Sequence, residues 1–204
     1  MYKKMKRFPL AAALVFVLAA ALLAGCSGGG GGEPAEPISA EAEANGGAAE
    51  ALSDPTDVVL ERIMADADAT LGGASAVGQA LPDPVTAENA PAMLGIMPDD
   101  FVSFVSEATA AQDIEGMDAI QIAVIMCLTP QYVEIVDEMI VNVFDPGKWE
   151  QMFPERALTM VSGSYILLAV GSVAETEALA DAFSVAAGGS VQEPNIFYTG
   201  ETGG

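Results

Sequence analysis

The sequence predicts an α+β domain: a two-layer sandwich with a mostly antiparallel sheet of about four strands in ββαββα order, helices on one face, and a further helix ahead of it. Three observations lead there. Residues 120–128 and 165–170 are short, almost continuously apolar runs bounded by polar residues or turns, the pattern of buried strands. Val133, Val136, Met139, Ile140 and Val143 repeat at helical spacing after the first run. Ser172-Val173-Ala174-Glu175 reads as a capping box after the second. A folded stretch of about 150 residues is ample for one core.

Within residues 53–98, the N-terminal helical segment, Asp54-Pro55 offers an N-cap followed by proline at the first helical position. Val59, Leu60, Ile63, Met64, Ala67 and Leu71 then recur at helical spacing, and Gly72-Gly73 stops the helix. Pro82, Pro84 and Pro91 break up the rest of the segment, apart from a short helix over 87–94. The α+β domain spans 99–189. Residues 101–105 fit a helix or a strand, and the spacing of Phe101, Phe104, Val105 and Ala108 suits a helix. Thr129-Pro130 opens the helix after the first buried strand, with Glu134, Asp137 and Glu138 away from its apolar stripe. Asp145-Pro146-Gly147 breaks the pattern, and 149–153 predicts one more turn before Pro154. Residues 157–162, a Gly163-Ser164 turn and 165–170 predict a strand pair. The closing helix buries Leu179, Ala182, Phe183 and Ala186 and ends at Gly188-Gly189. Residues 190–204 are expected to be a flexible tail, with Ile196, Phe197 and Tyr198 as its apolar cluster.

The first residues carry an address. Lys3, Lys4, Lys6 and Arg7 precede an apolar stretch over 10–23, shorter than the roughly 20 residues a membrane span needs. That pattern reads as a signal peptide, residues 1–25. Leu23-Ala24-Gly25-Cys26 resembles the bacterial lipobox. The resemblance implies lipidation of the Cys26 sulfur, cleavage before it, and acylation of the new terminus. Two or more acyl chains hold a protein stably, whereas one does so marginally. The expected address is therefore the extracytoplasmic face of a cell membrane, with the membrane as partner through the lipid on Cys26. The alternative is an ordinary secretory signal with a chance cysteine. Residues 26–52, rich in Gly, Ala, Glu and Pro, lack the apolar bulk to offset their ordering entropy and read as a disordered tether. Such a tether reaches roughly 30 Å.

Charge excludes several partners. From Cys26 onward the chain holds three basic residues, Arg62, Lys148 and Arg156, against 29 acidic ones, a formal charge of −26, and it has no histidine. Nucleic acid is not expected as a partner, since phosphates require clustered Lys and Arg. A cationic ligand, a basic envelope protein or Ca²⁺ fits the charge, although the charge also simply keeps an apolar domain soluble. The absence of histidine removes Ser-His-Asp and Cys-His mechanisms and most catalytic zinc sites. No phosphate loop, dinucleotide fingerprint or Gly-x-Ser-x-Gly elbow is present, so no cofactor is expected. Cys127, alone once Cys26 is lipidated, reads as a small buried hydrophobe.

The carboxylates offer few sites. Asp66-x-Asp68-x-Thr70 resembles the opening of an EF-hand loop, but Leu71 and Val77 stand where glycine and a bidentate glutamate are required, so it reads as a solvated helix end. Asp99-Asp100 and the group Asp113, Glu115, Asp118 are the best carboxylate clusters for a glycosidase or Ca²⁺ site, yet acids meet by chance in so acidic a chain. Trp149, Phe153 and Tyr165 either line a ligand groove or, for Trp149 and Phe153, anchor a helix end onto the sheet. Met139, Met152 and Met160 read as core filler.

Residues 93–187 resemble an uncharacterised bacterial lipoprotein family catalogued as domain of unknown function 4358. The matching pieces are Met97-Pro98-Asp99-Asp100, the apolar strand 119–126, Trp149-Glu150-Gln151-Met152-Phe153-Pro154, the Gly163-Ser164-Tyr165 turn and the closing helix. Asp145-Pro146-Gly147 departs from the family, whose helix there is longer and more charged. The resemblance implies fold and address but carries no catalytic or binding residue. The functional expectation is a membrane-anchored, non-catalytic binding or accessory module. The alternatives are a carboxylate-based hydrolase of envelope sugars and a low-affinity calcium binder.

Overall fold

Apolar residues at helical spacing make one side of α1 (Thr56–Thr70) fully buried, with Val59, Leu60, Ile63 and Ala67 shielded from solvent. The computed structural model describes residues 52–113, 119–149 and 152–200. After α1 come α2 (Ala76–Gln79), β1 (Pro82–Pro84), α3 (Ala90–Met93), α4 (Pro98–Phe104), β2 (Val105–Asp113) and β3 (Ile120–Cys127). They are followed by α5 (Val133–Val143), β4 (Arg156–Ser162), β5 (Tyr165–Gly171), α6 (Val173–Ala186) and β6 (Asn195–Thr199). Single 3₁₀ turns at Pro130–Tyr132 and Pro146–Lys148 flank α5.

The strands form one sheet of six, ordered β1-β2-β3-β5-β4-β6, with every neighbouring pair antiparallel. Its centre is the expected ββαββα run. The expected count of about four strands falls short by the two edges. β1 is three residues with two prolines, which cannot donate to a ladder and so blunt that edge. β6 lies where the composition predicts a flexible tail. A one-residue irregularity in its pairing, Ala157 with Tyr198 and then Leu158 with Ile196, leaves Phe197 as the extra residue.

The ambiguous 101–108 stretch is both things in succession. A helix runs to Phe104 and a strand starts at Val105, whose backbone is already extended. The expected turn at 149–153 includes residues 150 and 151, which lie outside the described residues; just ahead of it the chain makes a 3₁₀ turn at Pro146–Lys148. The N-cap of α1 is Pro55 and not Asp54. Asp54 instead pairs its carboxylate with Arg62 at 2.6 Å and accepts the Tyr165 hydroxyl at its carbonyl, 2.9 Å.

Helices cover both faces of the sheet, which corrects the one-face expectation. α1 and α6 lie on the face presenting Ile122, Val124, Leu158 and Leu167. α5 and the segment carrying α3 and α4 lie on the face presenting Ala123, Ile125, Ile166 and Leu168. Topology explains the division. α5 carries the chain from β3 to β4, parallel strands with β5 between them, and α6 carries it from β5 to β6, with β4 between them. Both crossovers step the same way across the sheet but start from strands of opposite direction. Giving both the usual right hand therefore puts the two helices on opposite faces. Double cover is also why β5 is buried at every residue.

Local chemistry fixes the elements. The capping box forms as the sequence predicts. The Ser172 hydroxyl accepts from Glu175 N at 3.2 Å, and Glu175 Oε2 accepts from Ser172 N at 2.9 Å. Gly163 at φ 59° supplies the left-handed residue that the tight β4–β5 turn needs. On the α1 face, a buried hydrogen bond joins the Thr56 and Thr109 hydroxyls at 2.9 Å, pinning the start of α1 to β2.

Candidate functional site

The face covered by α5 carries the candidate site. Its cover is assembled from short pieces, and between the loop after α3 and the C-terminal end of α5 they leave a cleft of about 240 Å³. Drug-sized sites run to about 300–1,000 Å³, so this one suits a smaller molecule. Leu94, Ile140, Val143, Phe144 and Leu168 give it apolar walls, and Gln121, Asp145 and Lys148 give it polar groups.

Gln121 is the one polar side chain in the otherwise apolar strand β3. It faces the α5 side and is 2 % exposed. Its amide nitrogen donates to the Met93 carbonyl, and its amide oxygen accepts from Lys148 Nζ. A buried amide is tolerated when both of its ends are satisfied, as they are here.

Lys148 reaches that position because α5 stops at Val143. Asp145 then caps the 3₁₀ turn, accepting from Gly147 N at 2.8 Å, and the turn carries Lys148 back over the sheet. Its ammonium sits 4.3 Å from the centre of the buried Trp149 ring. Burial lowers the Lys148 pKa to about 8, partly offset by the neighbouring Asp145 carboxylate. At neutral pH the group is still mostly an ammonium, with donors beyond the one given to Gln121. The other two cations of the domain are engaged at the surface: Arg62 with Asp54 at 2.6 Å and Arg156 with Glu177 at 2.9 Å. Among the described residues Lys148 makes no ion pair, although Asp145 lines the same cleft.

Two neighbours shape the opening. Gly95 adopts φ +74°, and a Cβ there would stand 2.2 Å from Val143 Cγ2, so only glycine lets the loop approach α5 this closely. Phe144, in the wall, is the centre of an aromatic group, with ring centroids 6.1 Å from Trp149, 5.2 Å from Phe197 and 5.3 Å from Tyr198. The edge strand β6 thus braces the cleft.

The residues singled out from sequence are scattered. Cys127 is buried in the core, and desolvation pushes its thiol up to about 11, the behaviour of an inert hydrophobe. Asp99 and Asp100 occupy the first turn of α4, where carboxylates complement the helix dipole. Glu115, Asp118 and the Asp113 side chain lie outside the described residues, as do Cys26 and the signal and tether segments. Asp68 ties down the α1–α2 turn by accepting from the Ser75 N–H at 2.9 Å and its hydroxyl at 2.7 Å, and these bonds lower its pKa. Among the described residues no group of three His, Cys, Asp or Glu is placed to hold a metal ion.

Trp149 is in the core, but Phe153 is 65 % exposed, so the two do not anchor together. Tyr165 packs on the opposite face, so these three aromatics line no common groove. Met160 is buried and Met139 half-buried, as filler should be, whereas Met152 is exposed. Sequence reasoning passes over Gln121 and Lys148. The available signals are an amide inside an apolar strand and the single lysine after Cys26.

No helix among the described residues is long and apolar enough to cross a membrane. Comparison with family models, with curated proteins and with solved structures finds no match to this chain.

Proposed function

We propose that this chain is a cell-envelope lipoprotein, anchored through Cys26, whose domain is a non-catalytic module that binds a small molecule in the Lys148 cleft. One observation carries the binding assignment. The domain places an ammonium in a partly apolar cleft beside a buried amide, with no carboxylate in ion-pair contact among the described residues. A desolvated cation with donors to spare is costly unless a ligand acceptor meets it. The net negative charge of the chain favours a cationic ligand, but the cleft presents a positive group that calls for an acceptor on the ligand.

The hydrolase alternative has less support. Glu134 and Asp137 line a second cleft of about 480 Å³ together, but they stand three apart on one helix, side by side and not opposed across a sugar.

Two experiments test the reading. The anchor predicts that full-length protein made in a bacterial host takes up a fatty-acid label and fractionates with membranes, and that Cys26→Ala loses both. Retention of label by Cys26→Ala would refute it. The binding module predicts ligand-induced thermal stabilisation, across a panel of small molecules, that Lys148→Met abolishes. A ligand at 100 times its dissociation constant adds about 2.7 kcal/mol.

A further inference from the structure

Building on the binding reading, we infer that the ligand is a small zwitterion: a free α-amino acid with an apolar side chain, its carboxylate on Lys148 and its ammonium on Asp145. The cleft carries one group of each sign, with Gln121 as its other polar side chain. Lys148 and Asp145 both line it, three residues apart across a tight turn, close enough for Asp145 to be felt electrostatically at Lys148. They do not close onto each other as an ion pair. Asp145 Oδ1 is committed to Gly147 N, and Lys148 Nζ leans toward Gln121 and the Trp149 ring. The two charges are therefore held apart by their own partners. A molecule that carries one charge of each sign pairs with both.

The remaining lining sets the third part of the ligand. Leu94, Ile140, Val143 and Leu168 supply an aliphatic wall, which takes a branched or thioether side chain and offers nothing to a second charge or a sugar hydroxyl. A cleft of about 240 Å³ limits the ligand to a single residue or a comparably small molecule. Charge argues the same way. A simple anion approaches a domain of strongly negative net charge against the field, while a zwitterion with no net charge does not. A simple cation would be drawn in by the field but would meet Lys148 as a like charge.

The test is calorimetric titration of the detergent-solubilised full-length protein with L-leucine, with isocaproate, which lacks the amine, and with isoamylamine, which lacks the carboxylate. L-leucine is expected to bind at least tenfold more tightly than either half-ligand. Lys148→Met is expected to abolish L-leucine binding. Asp145→Asn, which retains an acceptor for Gly147 N, is expected to weaken L-leucine about tenfold and leave isocaproate unchanged. Far-ultraviolet dichroism and melting temperature confirm that each variant is folded. Isocaproate binding as tightly as L-leucine, in a Lys148-dependent manner, would overturn the zwitterion assignment and leave the cleft as an anion site. Heat signals for all three that survive Lys148→Met, or no signal for any of them, would overturn the zwitterion assignment as well. The broader binding reading would then stand or fall on Lys148-dependent thermal stabilisation by the wider panel of small molecules.

Discussion

The two faces of the sheet are built to different standards. The α1–α6 face is closed by two long helices laid over β3, β4 and β5, with Val59, Leu60, Ile63, Leu179 and Phe183 each fully buried. Its buried polar contacts are short pins, such as the Thr56–Thr109 bond and Tyr165 to the Asp54 carbonyl. The α5 face is covered by one helix, two short ones and two 3₁₀ turns. It holds a buried amide, a half-buried lysine and a cleft. Long helices fill space efficiently because their side chains interdigitate over many turns. Short pieces joined by proline and glycine leave gaps. The α5 face therefore presents an amide and an ammonium at a cleft, whereas the polar contacts of the α1–α6 face join its own elements.

Mutations separate these roles. The largest effect is expected on the closed face: Phe183→Ala should cost about 3–5 kcal/mol by denaturant unfolding, without altering ligand affinity in the fraction that remains folded. Equal damage to binding would mean that the faces are not independent. On the open face, Gly95→Ala imposes both a left-handed backbone on alanine and a clash with Val143. We expect a loss of about 1–3 kcal/mol, with weaker binding, because the loop must retreat from α5. Ser172→Ala removes the α6 cap at a cost of about 1 kcal/mol, seen as a lower denaturation midpoint.

Lys148→Met is set apart by its pH dependence. The folded-state pKa of Lys148, about 8, lies below its ordinary value of 10.5. Between these values the unfolded chain binds more protons than the folded one, so stability rises with pH across that window. Below pH 8 the cost of the buried charge is fully present. The wild-type chain should therefore gain stability relative to Lys148→Met between pH 8 and pH 10.5, measured by paired denaturant titrations. A flat difference would place Lys148 in solvent.

Much of the architecture is legible because strong patterns override local detail. The apolar runs of β3 and β5, the stripe of α5 and the Ser172–Glu175 box each point to one element and no other. The edges are not legible. Pro82–Pro84 has the composition of a loop and becomes a strand only because β2 offers a ladder, and Asn195–Thr199 does so because β4 does. The two-faced cover is half-legible, since continuous apolar strands already imply two buried sides. The cleft is hidden because Gln121 and Lys148 are 27 residues apart and are joined only by the fold. Phe153 misleads because an aromatic four positions from a tryptophan suggests a shared helix face, whereas Trp149 is buried and Phe153 is exposed.

The aromatic group around Phe144 ties the cleft to the order of synthesis. Phe197 and Tyr198, two of the three rings packed on Phe144, are made after every strand of the ββαββα centre. Until they emerge, the wall of the cleft lacks its brace, although the strands beneath it are already complete. The site is thus finished later than the sheet that carries it. A chain cut short after α6 would hold the centre of its sheet intact and its cleft unfinished.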